Sequence, residues 1–458
     1  MANGDLTALK NQESVSIPAV ILAAYGCDNL LPLTNEVPKA LLKVGNKSLI
    51  SGTVNNLLTA GIKKILVFAN KHDQSSIQQH LREEFQTHDH INALNLDISI
   101  HVVDEYDGMI PSTSHVVKIA ATMLNSHFIV VPCDLYGNFN FQGLIQDHLS
   151  TDRLCTIALI EEKLAASTGK KNKDQSDDQT SPGGDPVRGW GYKYKVLAML
   201  DIDHSKVVSI SNYLSLCSGE PTNISKWTFR NHNKCSIRCD LYDAHIYVFS
   251  KDIIHMLTEK CFKQSSLRLD VIPYIIAMQD VQQNWEPQSE IEAKNLTEEL
   301  NAHPGTSLPN KGFIFQYPYV GDASQCCRVN SIETLMKVNM QQCFDKTKKN
   351  KTGTINSSGS KIRDVVFGEG CKLGDGTTIK SSVLGDNVTI GNNCSINKCV
   401  IMDNVMLGDK VVLDRCIIGH KATISTKVTM KLVVVAPKYI VPENVRAECD
   451  FLPTFIES

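Results

Sequence analysis

A 17-residue repeat near the end of the chain limits the possible folds more than any other feature of the sequence. Large apolar residues recur there at spacings of six, six and five residues, after which the register restarts. The twelve positions are Phe367, Leu373, Ile379, Leu384, Ile390, Ile396, Ile401, Leu407, Leu413, Ile418, Ile424 and Met430. Three short strands and three corners in each repeat form one coil of a triangular parallel β-helix. We therefore predict an all-β parallel β-helix over residues 361–446, which Val435 and Val441 could extend to a fifth coil.

The residues two positions before each large residue are mostly small or β-branched. They are Val365, Cys371, Thr377, Ser382, Val388, Cys394, Cys399, Val405, Val411, Cys416, Ala422 and Val428. Because side chains alternate along a strand, both residues of each pair are expected to point into the prism. This predicts that the four cysteines are small core residues, with a row of thiol ligands as the alternative. Glycine follows the large residue at six places, where we expect the chain to turn: Gly368, Gly374, Gly385, Gly391, Gly408 and Gly419. An ordinary sandwich of short strands is the alternative fold.

The N-terminal part of the chain alternates short apolar runs with helical patterns. The runs at 19–22, 64–68, 98–103 and 127–131 predict buried parallel strands, and helices are predicted over 51–61, 74–85 and 112–125. This βαβαβαβ order predicts an α/β doubly wound domain, which we place over residues 17–346. Further strands are expected at 192–200, 206–210 and 244–249, with a helix at 267–278. Doubly wound sheets bind ligands at the carboxyl ends of their strands.

Four polar segments separate or flank these two domains. We predict a polar N-terminal tail over residues 1–16, a flexible insertion over 165–189, a linker over 347–360 and a C-terminal tail over 447–458. The tail over 1–16 lacks the apolar core of a signal peptide.

Charge and cysteine content exclude several classes of function. The net charge is −3 with no basic cluster, so we expect no direct nucleic-acid partner. No apolar stretch approaches the length of a membrane-spanning helix, so we expect no membrane segment. The 15 cysteines contain no C-x-x-C pair, which argues against a zinc site and for free thiols in a reducing compartment. The expected location is the cytosol.

The residues that follow the first strand carry a recognisable motif. Residues 22–34 read LAAYGCDNLLPLT and residues 37–44 read VPKALLKV. They resemble the signature of the sugar-phosphate nucleotidyltransferases, L-A-G-G-x-G-x-R-L-x-P-L-T followed by P-K-A-L. Together with the β-helix, the chain resembles those enzymes and also the gamma/epsilon family of subunits of eukaryotic translation initiation factor 2B. The resemblance implies a nucleotidyltransferase-like α/β domain followed by a left-handed β-helix of hexapeptide-type repeats.

The glycine loop of those enzymes is altered in this chain. In the enzymes, backbone N–H groups of the loop wrap a triphosphate at close range. Ala24, Tyr25 and Cys27 replace the three glycines, and Asn29 replaces the arginine. Losing one such preorganised donor typically costs about 10²–10³ in rate. The resemblance therefore implies a degenerate nucleotide pocket with no catalytic residue.

The rest of the motif is retained unevenly. Lys39 keeps its P-K-A-L context and could hold a phosphate, although we expect an ordinary surface lysine. Asp134 aligns with a magnesium aspartate of the family, and we expect it to be a residual strand-end acid. The second metal aspartate aligns roughly with Ser250, and His245 replaces a glycine in the preceding strand. Arg328 stands in place of a further acid. We therefore expect neither a bound metal nor a cofactor.

The resemblance implies a non-catalytic regulatory subunit of initiation factor 2B, the guanine-nucleotide exchange factor for initiation factor 2. The expected partners are the catalytic epsilon subunit and the alpha, beta and delta subunits, with initiation factor 2 as client, including its phosphorylated form. A gamma-type subunit is expected because the chain stops at Ser458, before the helical exchange domain of epsilon subunits could follow. One alternative is an active nucleotidyltransferase that makes a sugar nucleotide such as GDP-mannose. Another is a β-helix acyltransferase that uses His420.

Overall fold

The fold is described from a computed structural model of the chain. The described residues are 17–26, 28–85, 96–103, 112–150, 153–161, 195–201, 206–213, 217–218, 229, 232, 234–254, 266–281, 326–344 and 359–452. Cys27, the predicted N-terminal tail over 1–16 and the predicted insertion over 165–189 lie outside them, as does most of the predicted linker over 347–360. Within the described residues, no helix combines the length and the apolar character needed to cross a membrane.

The N-terminal domain is built from twelve described strands and six described helices. The strands are β1 Ala19–Leu22, β2 Lys43–Val44, β3 Lys47–Ser48, β4 Lys64–Asn70, β5 Asp97–Val103, β6 Phe128–Pro132, β7 Leu135–Tyr136, β8 Cys155–Glu161, β9 Lys195–Asp201, β10 Lys206–Asn212, β11 Cys235–Phe249 and β12 Cys327–Arg328. The helices are α1 Leu49–Thr59, α2 Lys71–Phe85, α3 Thr113–Leu124, α4 Phe141–Ser150, α5 Ile272–Val281 and α6 Ile332–Phe344. The sequence did not predict α4, α6, β8 or the two-residue strands β2, β3, β7 and β12.

The main sheet has the strand order β10-β9-β11-β6-β1-β4-β5, with β8 paired to β11. Strands β6, β1, β4 and β5 are parallel, whereas β8, β9 and β11 add antiparallel pairs. Strand β1 shows why the sheet is covered on both faces. Ala19 and Ile21 contribute to one apolar layer with α1, α2, α4 and α6, while Val20 and Leu22 contribute to another with α3 and α5. The predicted α/β doubly wound fold is confirmed.

The C-terminal domain is a stack of short parallel strands in three sheets. The strands are β13 Lys361–Arg363, β14 Val366–Phe367, β15 Lys372–Leu373, β16 Thr378–Lys380, β17 Val383–Leu384, β18 Thr389–Ile390, β19 Ser395–Asn397, β20 Val400–Ile401, β21 Met406–Leu407, β22 Val412–Asp414, β23 Ile417–Ile418, β24 Thr423–Ile424, β25 Thr429–Lys431, β26 Val434–Val435, β27 Ile440–Val441, β28 Arg446–Glu448 and β29 Phe451–Leu452. Each strand pairs in parallel with its counterpart in the adjacent coil, one repeat along the chain, as Leu384 does with Ile401. The predicted parallel β-helix is confirmed.

The interior of this β-helix contains the residues that the repeat predicts. Of the twelve large positions, eleven are buried and Leu373 in the first coil is half-buried. Cys394, Cys399 and Cys416 are buried in the same core, and Cys371 packs against it. The four thiols are therefore core side chains, because their neighbours are aliphatic residues of the adjacent coils.

The glycines of the repeat have a different role from the predicted one. The corners are formed by other residues with positive φ, again one repeat apart, such as Asn387 (φ 55°), Asn404 (φ 57°) and Lys421 (φ 57°). The glycines instead lie where successive coils approach most closely. A Cβ on Gly368 would lie 2.4 Å from the backbone of Gly385, a distance that real Cβ atoms do not adopt. Glycine is needed here for contact between coils and not for turning.

The stack also extends further than predicted. Strands β28 and β29 pair with β25 and β26, so the regular register continues to Leu452. The part of the predicted tail over 447–458 that is described therefore belongs to the β-helix, because Ala447 and Leu452 pack against its core. The remaining domain boundaries stay predictions.

One face of the β-helix packs against the α/β domain. Its outward residues Val366, Val383, Val400, Ile417 and Val434 are buried, although they point away from the prism. Three of them belong to the same apolar layer as α1 and α6, and the other two pack with Cys343 of α6. The two domains are thus joined by an apolar contact that runs along five coils.

Candidate functional site

The candidate site is a pocket beyond the carboxyl ends of β1 and β6, the position that the doubly wound topology predicts. It is lined by Leu22, Tyr25, Lys39, Thr113, Pro132, Cys133, Asp134, His245 and Arg328. Of the predicted site residues, Tyr25, Lys39 and Asp134 line it directly. The cavity measures only about 20 Å³, which is room for about one water molecule. A bound triphosphate would need the lining to move.

A buried ion cluster fills the centre of this site. Asp134 follows β6 and is fully buried, and its Oδ2 lies 2.6 Å from Nζ of Lys39. Arg328, in β12, donates from Nε to Oδ1 at 2.8 Å and from Nη2 to Oδ2 at 3.0 Å. One carboxylate therefore accepts three charge-assisted hydrogen bonds from two cations.

The two cations determine the ionisation of Asp134. Burial would raise the pKa of this carboxyl, but the nearby charges of Arg328 and Lys39 outweigh burial and hold its pKa well below its usual range. Asp134 is therefore ionised at every physiological pH, and the cluster stays charged and paired.

Lys39 is not the surface lysine that we expected. Its side chain is only 1% exposed, because a 3₁₀ turn at Lys39–Leu41 directs it under the loop that follows β1. Gly26 of that loop has φ +77°, and a Cβ placed there would come within 3.1 Å of Nζ of Lys39. The apolar run Ala40, Leu41 and Leu42 directly after Lys39 was the sequence signal that this segment faces inward, and Ala40 and Leu42 are indeed buried.

The other altered positions of the loop have separate locations. Ala24 is buried two residues after β1 ends, and Asn29 is exposed; neither is among the residues that line the pocket. The half-buried Tyr25 lies over the pocket and donates from its hydroxyl to the carbonyl of Ser112 at 3.3 Å. Burial raises the pKa of the Tyr25 phenol, so it stays protonated and can donate. The tyrosine ring thus lies at the mouth of the site, between β1 and the start of α3.

The alignment of Ser250 with a metal ligand is wrong. Strands β11 and β6 are antiparallel, and Phe249 lies opposite Phe128 at the amino end of β6. Ser250 is therefore at the far edge of the sheet from Asp134, where its amide donates to the carbonyl of Leu154 at 2.8 Å. The residue of β11 that reaches the site is His245.

His245 was noted only as a replacement for glycine, yet it forms part of the pocket wall. It has φ 60°, a conformation that favours glycine, and its backbone N–H donates to Oδ1 of Asp243 at 2.8 Å. Burial lowers the pKa of its imidazole well below the usual value, so the ring is neutral. Asp243 also accepts from the Tyr247 hydroxyl at 2.8 Å and pairs with Arg268 at 3.3 Å.

The residues present do not fit the magnesium ion that the nucleotidyltransferase fold implies. Magnesium needs free carboxylate oxygens, but both oxygens of Asp134 already accept hydrogen bonds from Lys39 and Arg328. Arg328 brings a positive charge where a second acid would be required. Among the described residues, no group of three or more histidine, cysteine, aspartate or glutamate side chains could hold a metal ion.

His420 is placed at the contact between the two domains. It is half-buried and lines a cavity of about 40 Å³ together with Lys43 and Asp403. Burial lowers the pKa of its imidazole. The alternative of a β-helix acyltransferase requires a histidine on an exposed face of the β-helix, where it can reach the acyl acceptor. His420 instead faces the α/β domain of its own chain, which argues against this alternative.

Comparison with known proteins identifies both domains. Residues 18–173 match the family model described as "Nucleotidyl transferase", and residues 347–447 match the one described as "EIF2B subunit epsilon LbH domain". The left-handed β-helix implied by the sequence is thereby confirmed.

Three relatives illustrate the similarity. The chain is 24% identical over 276 residues to "Translation initiation factor eIF2B subunit gamma" of Schizosaccharomyces pombe (strain 972 / ATCC 24843), covering 58% of this chain and 52% of the relative. It is 24% identical over 278 residues to "Translation initiation factor eIF2B subunit epsilon" of Dictyostelium discoideum, covering 60% of this chain and 35% of the relative. A shorter match, 42% over 65 residues, is to "Bifunctional IPC transferase and DIPP synthase" of Aquifex aeolicus (strain VF5), covering 14% of this chain and 15% of the relative.

The chain spans about half the length of the gamma relative and about a third of the epsilon relative. Its two domain types occur in the order nucleotidyltransferase, then β-helix. Two of the three relatives named above are initiation factor 2B subunits, and each matches more than half of this chain. The chain is thus similar to the gamma and epsilon subunits of initiation factor 2B in the type and order of its two domains.

Proposed function

We propose that this chain is a non-catalytic, gamma-type regulatory subunit of translation initiation factor 2B. In this role it pairs with the catalytic epsilon subunit and supports GDP/GTP exchange on initiation factor 2. The complex binds initiation factor 2 as its client, including the phosphorylated form. The alpha, beta and delta subunits complete the complex, which acts in the cytosol without direct contact to nucleic acid or membrane. The similarity to gamma and epsilon subunits supports this proposal, and the gamma relative is covered to the larger extent.

The buried cluster of Lys39, Asp134 and Arg328 is the main support for proposing that the nucleotidyltransferase-like domain is not catalytic. An enzyme that transfers a nucleotidyl group needs space for a triphosphate and a carboxylate that can bind its metal ion. Here the carboxylate is neutralised within the protein and the cavity has room for about one water molecule. We therefore propose that the motif positions Ala24, Tyr25, Cys27, Asn29, Lys39 and Asp134 are the remnant of a degenerate nucleotide site, with no catalytic residue, metal or cofactor. Of these six residues, Tyr25, Lys39 and Asp134 line the pocket.

The second candidate is an active sugar-1-phosphate nucleotidyltransferase. The match of residues 18–173 to the nucleotidyl transferase family favours it, as does the retained lysine of the P-K-A-L motif. The ion pairs of Lys39 and Arg328 argue against it, because binding substrate would have to break them. The two candidates differ in a measurable product, pyrophosphate.

Exchange by the purified subunits tests the supporting role. GDP release from initiation factor 2 would be timed with the epsilon subunit alone, with this chain alone and with both together. We expect release by both together to be several times faster than by epsilon alone, and this chain alone to match the spontaneous rate. Equal rates with and without this chain would contradict a role in exchange. Rapid release by this chain alone would contradict the regulatory assignment.

A further inference from the structure

We infer that the buried ion cluster of Lys39, Asp134 and Arg328 stabilises the contact between the β-helix and the α/β domain. Two series of contacts connect the cluster to the β-helix: one starts at Lys39 and is called the first arm, and the other starts at Arg328 and is called the second arm. Together we call them the relay. This inference rests on contacts within the chain and does not depend on the proposed function.

The first arm runs from Lys39 along the chain. The 3₁₀ turn at Lys39–Leu41 leads directly into β2, and Lys43 stands four residues after Lys39. The Lys43 ammonium lies 2.6 Å from Oδ2 of Asp386 and 2.8 Å from Oδ2 of Asp403, at corners of two successive coils. Asn46, in the turn after β2, donates to the carbonyl of Leu384 at 3.0 Å. A displacement of Lys39 is therefore transmitted within a few residues to three groups of the β-helix. They are the carboxylates of Asp386 and Asp403 and the carbonyl of Leu384.

The second arm runs from Arg328 through α6. Strand β12 carries Arg328 and pairs with β7, the strand directly after Asp134. The chain then enters α6, and Ser331 caps this helix by accepting from the amide of Thr334 at 3.2 Å. Further along α6, Cys343 packs against Val366 and Val383 of the β-helix. A shift of Arg328 is therefore transmitted to the apolar contact between the domains.

A cross-connection makes the two arms one unit. The carbonyl oxygen of the Asn339 side chain in α6 accepts from the backbone N–H of Gly45, in the turn between β2 and β3, at 2.9 Å. Asn339 is fully buried, and its side-chain amide also donates to the carbonyl of Leu335 at 2.9 Å. Gln342 of α6 donates to the hydroxyl of Tyr136 in β7. Both arms begin at the same carboxylate, Asp134, and end on adjacent coils of the β-helix.

The buried pair of Asp243 and Arg268 provides a matched control. It is as enclosed as the ion cluster, and it lies in β11 and in the π-helical turn before α5. The pair borders the pocket through His245, whose amide donates to Asp243, but it belongs to neither arm. Losing this pair therefore removes a buried cation beside the pocket and changes no contact of either arm.

Hydrogen exchange of the full chain, followed by mass spectrometry, tests the relay. In Lys39→Met, we expect exchange about tenfold faster than wild type in the segment 43–48 and around the corners at 385–387 and 402–404. In Arg328→Met, we expect a similar acceleration within α6 and around Val383. Each substitution leaves Asp134 paired with the remaining cation, so the chain is expected to fold. Arg268→Met is expected to accelerate exchange only near β11 and α5.

The relay would be contradicted if Lys39→Met and Arg328→Met accelerated exchange only in the residues that line the pocket. It would also be contradicted if Arg268→Met accelerated exchange at the β-helix corners to the same extent, because that would indicate general loosening. If either relay variant does not fold, Lys43→Met tests the first arm beyond the pocket. In Lys43→Met, faster hydrogen exchange at 385–387 and 402–404 together with wild-type exchange in the pocket residues supports the first arm. Wild-type exchange at 385–387 and 402–404 contradicts it.

Discussion

Replacing Asp134 with asparagine is expected to lower the free energy of unfolding by about 3–5 kcal/mol, because it leaves two buried cations without their counter-charge. Lys39 and Arg328 are 1% and 7% exposed, so water cannot replace the lost carboxylate. Urea unfolding at neutral pH measures this loss. Glu36→Gln is the matched control: Glu36 pairs with Lys438 and both side chains are exposed, so such a pair contributes about 0–1 kcal/mol. A loss below about 1 kcal/mol for Asp134→Asn, the range of a surface pair, would show that the cluster is not structural.

The same carboxylate sets a dependence of stability on pH. A group whose pKa is depressed in the folded state stabilises the fold above its unfolded-state pKa, which is about 3.9 for aspartate. That contribution is lost as the pH falls through the folded-state value, which for Asp134 lies well below the usual range. The difference in stability between wild type and Asp134→Asn should therefore be constant from about pH 5 upward and shrink only in strong acid.

Replacing Ile390 with aspartate is expected to unfold the β-helix and to release the chain from the epsilon-type partner that we propose. Ile390 is 2% exposed and packs inside the prism, so an aspartate there would bury an unpaired charge at a cost of several kcal/mol. The α/β domain is expected to stay folded, because its own apolar layers surround a separate sheet. Limited proteolysis followed by co-purification with the partner measures both effects.

The control for this experiment lies in the same strand. Thr389 is exposed on the outer face of β18, so Thr389→Asp adds the same charge without burying it. It should leave the β-helix resistant to protease. If Ile390→Asp opens the β-helix but the chain still co-purifies at wild-type yield, the partner binds the α/β domain instead. The uncharged outer residues near Ile390, among them Met406 (55% exposed), favour binding through the β-helix.

The β-helix could be predicted from sequence because its packing is periodic along the chain. Each coil rests on the coil one repeat away, so the spacing of Leu384, Ile401 and Ile418 contains the whole pattern. The role of the glycines was misjudged because the close approach of Gly368 to Gly385 is a distance between coils. No local pattern of turn residues reports such a distance.

The ion cluster could not be predicted in the same way. Asp134 is 95 residues from Lys39 and 194 residues from Arg328, and no periodicity links the three. Comparison with the nucleotidyltransferase motif singled out all three residues, but it placed Lys39 at the surface and gave no sign that the three side chains pair. Their pairing depends on where the segment containing β12 returns to the sheet. Ser250 and His245 were misjudged because the sequence does not show the direction of β11. This strand runs antiparallel to β6, so His245, which comes before Ser250 in the chain, lies near Asp134 and Ser250 lies at the opposite edge of the sheet.

The most direct test of the central claim is an assay of pyrophosphate release by the purified chain. It would be supplied with a sugar 1-phosphate, each nucleoside triphosphate in turn and magnesium, and compared with an active nucleotidyltransferase under the same conditions. Because Asp134 is neutralised by Lys39 and Arg328, and Tyr25 lies at the pocket mouth, we predict release no faster than in a blank without protein. Sustained turnover that Asp134→Asn abolishes would contradict the account and establish a working enzyme.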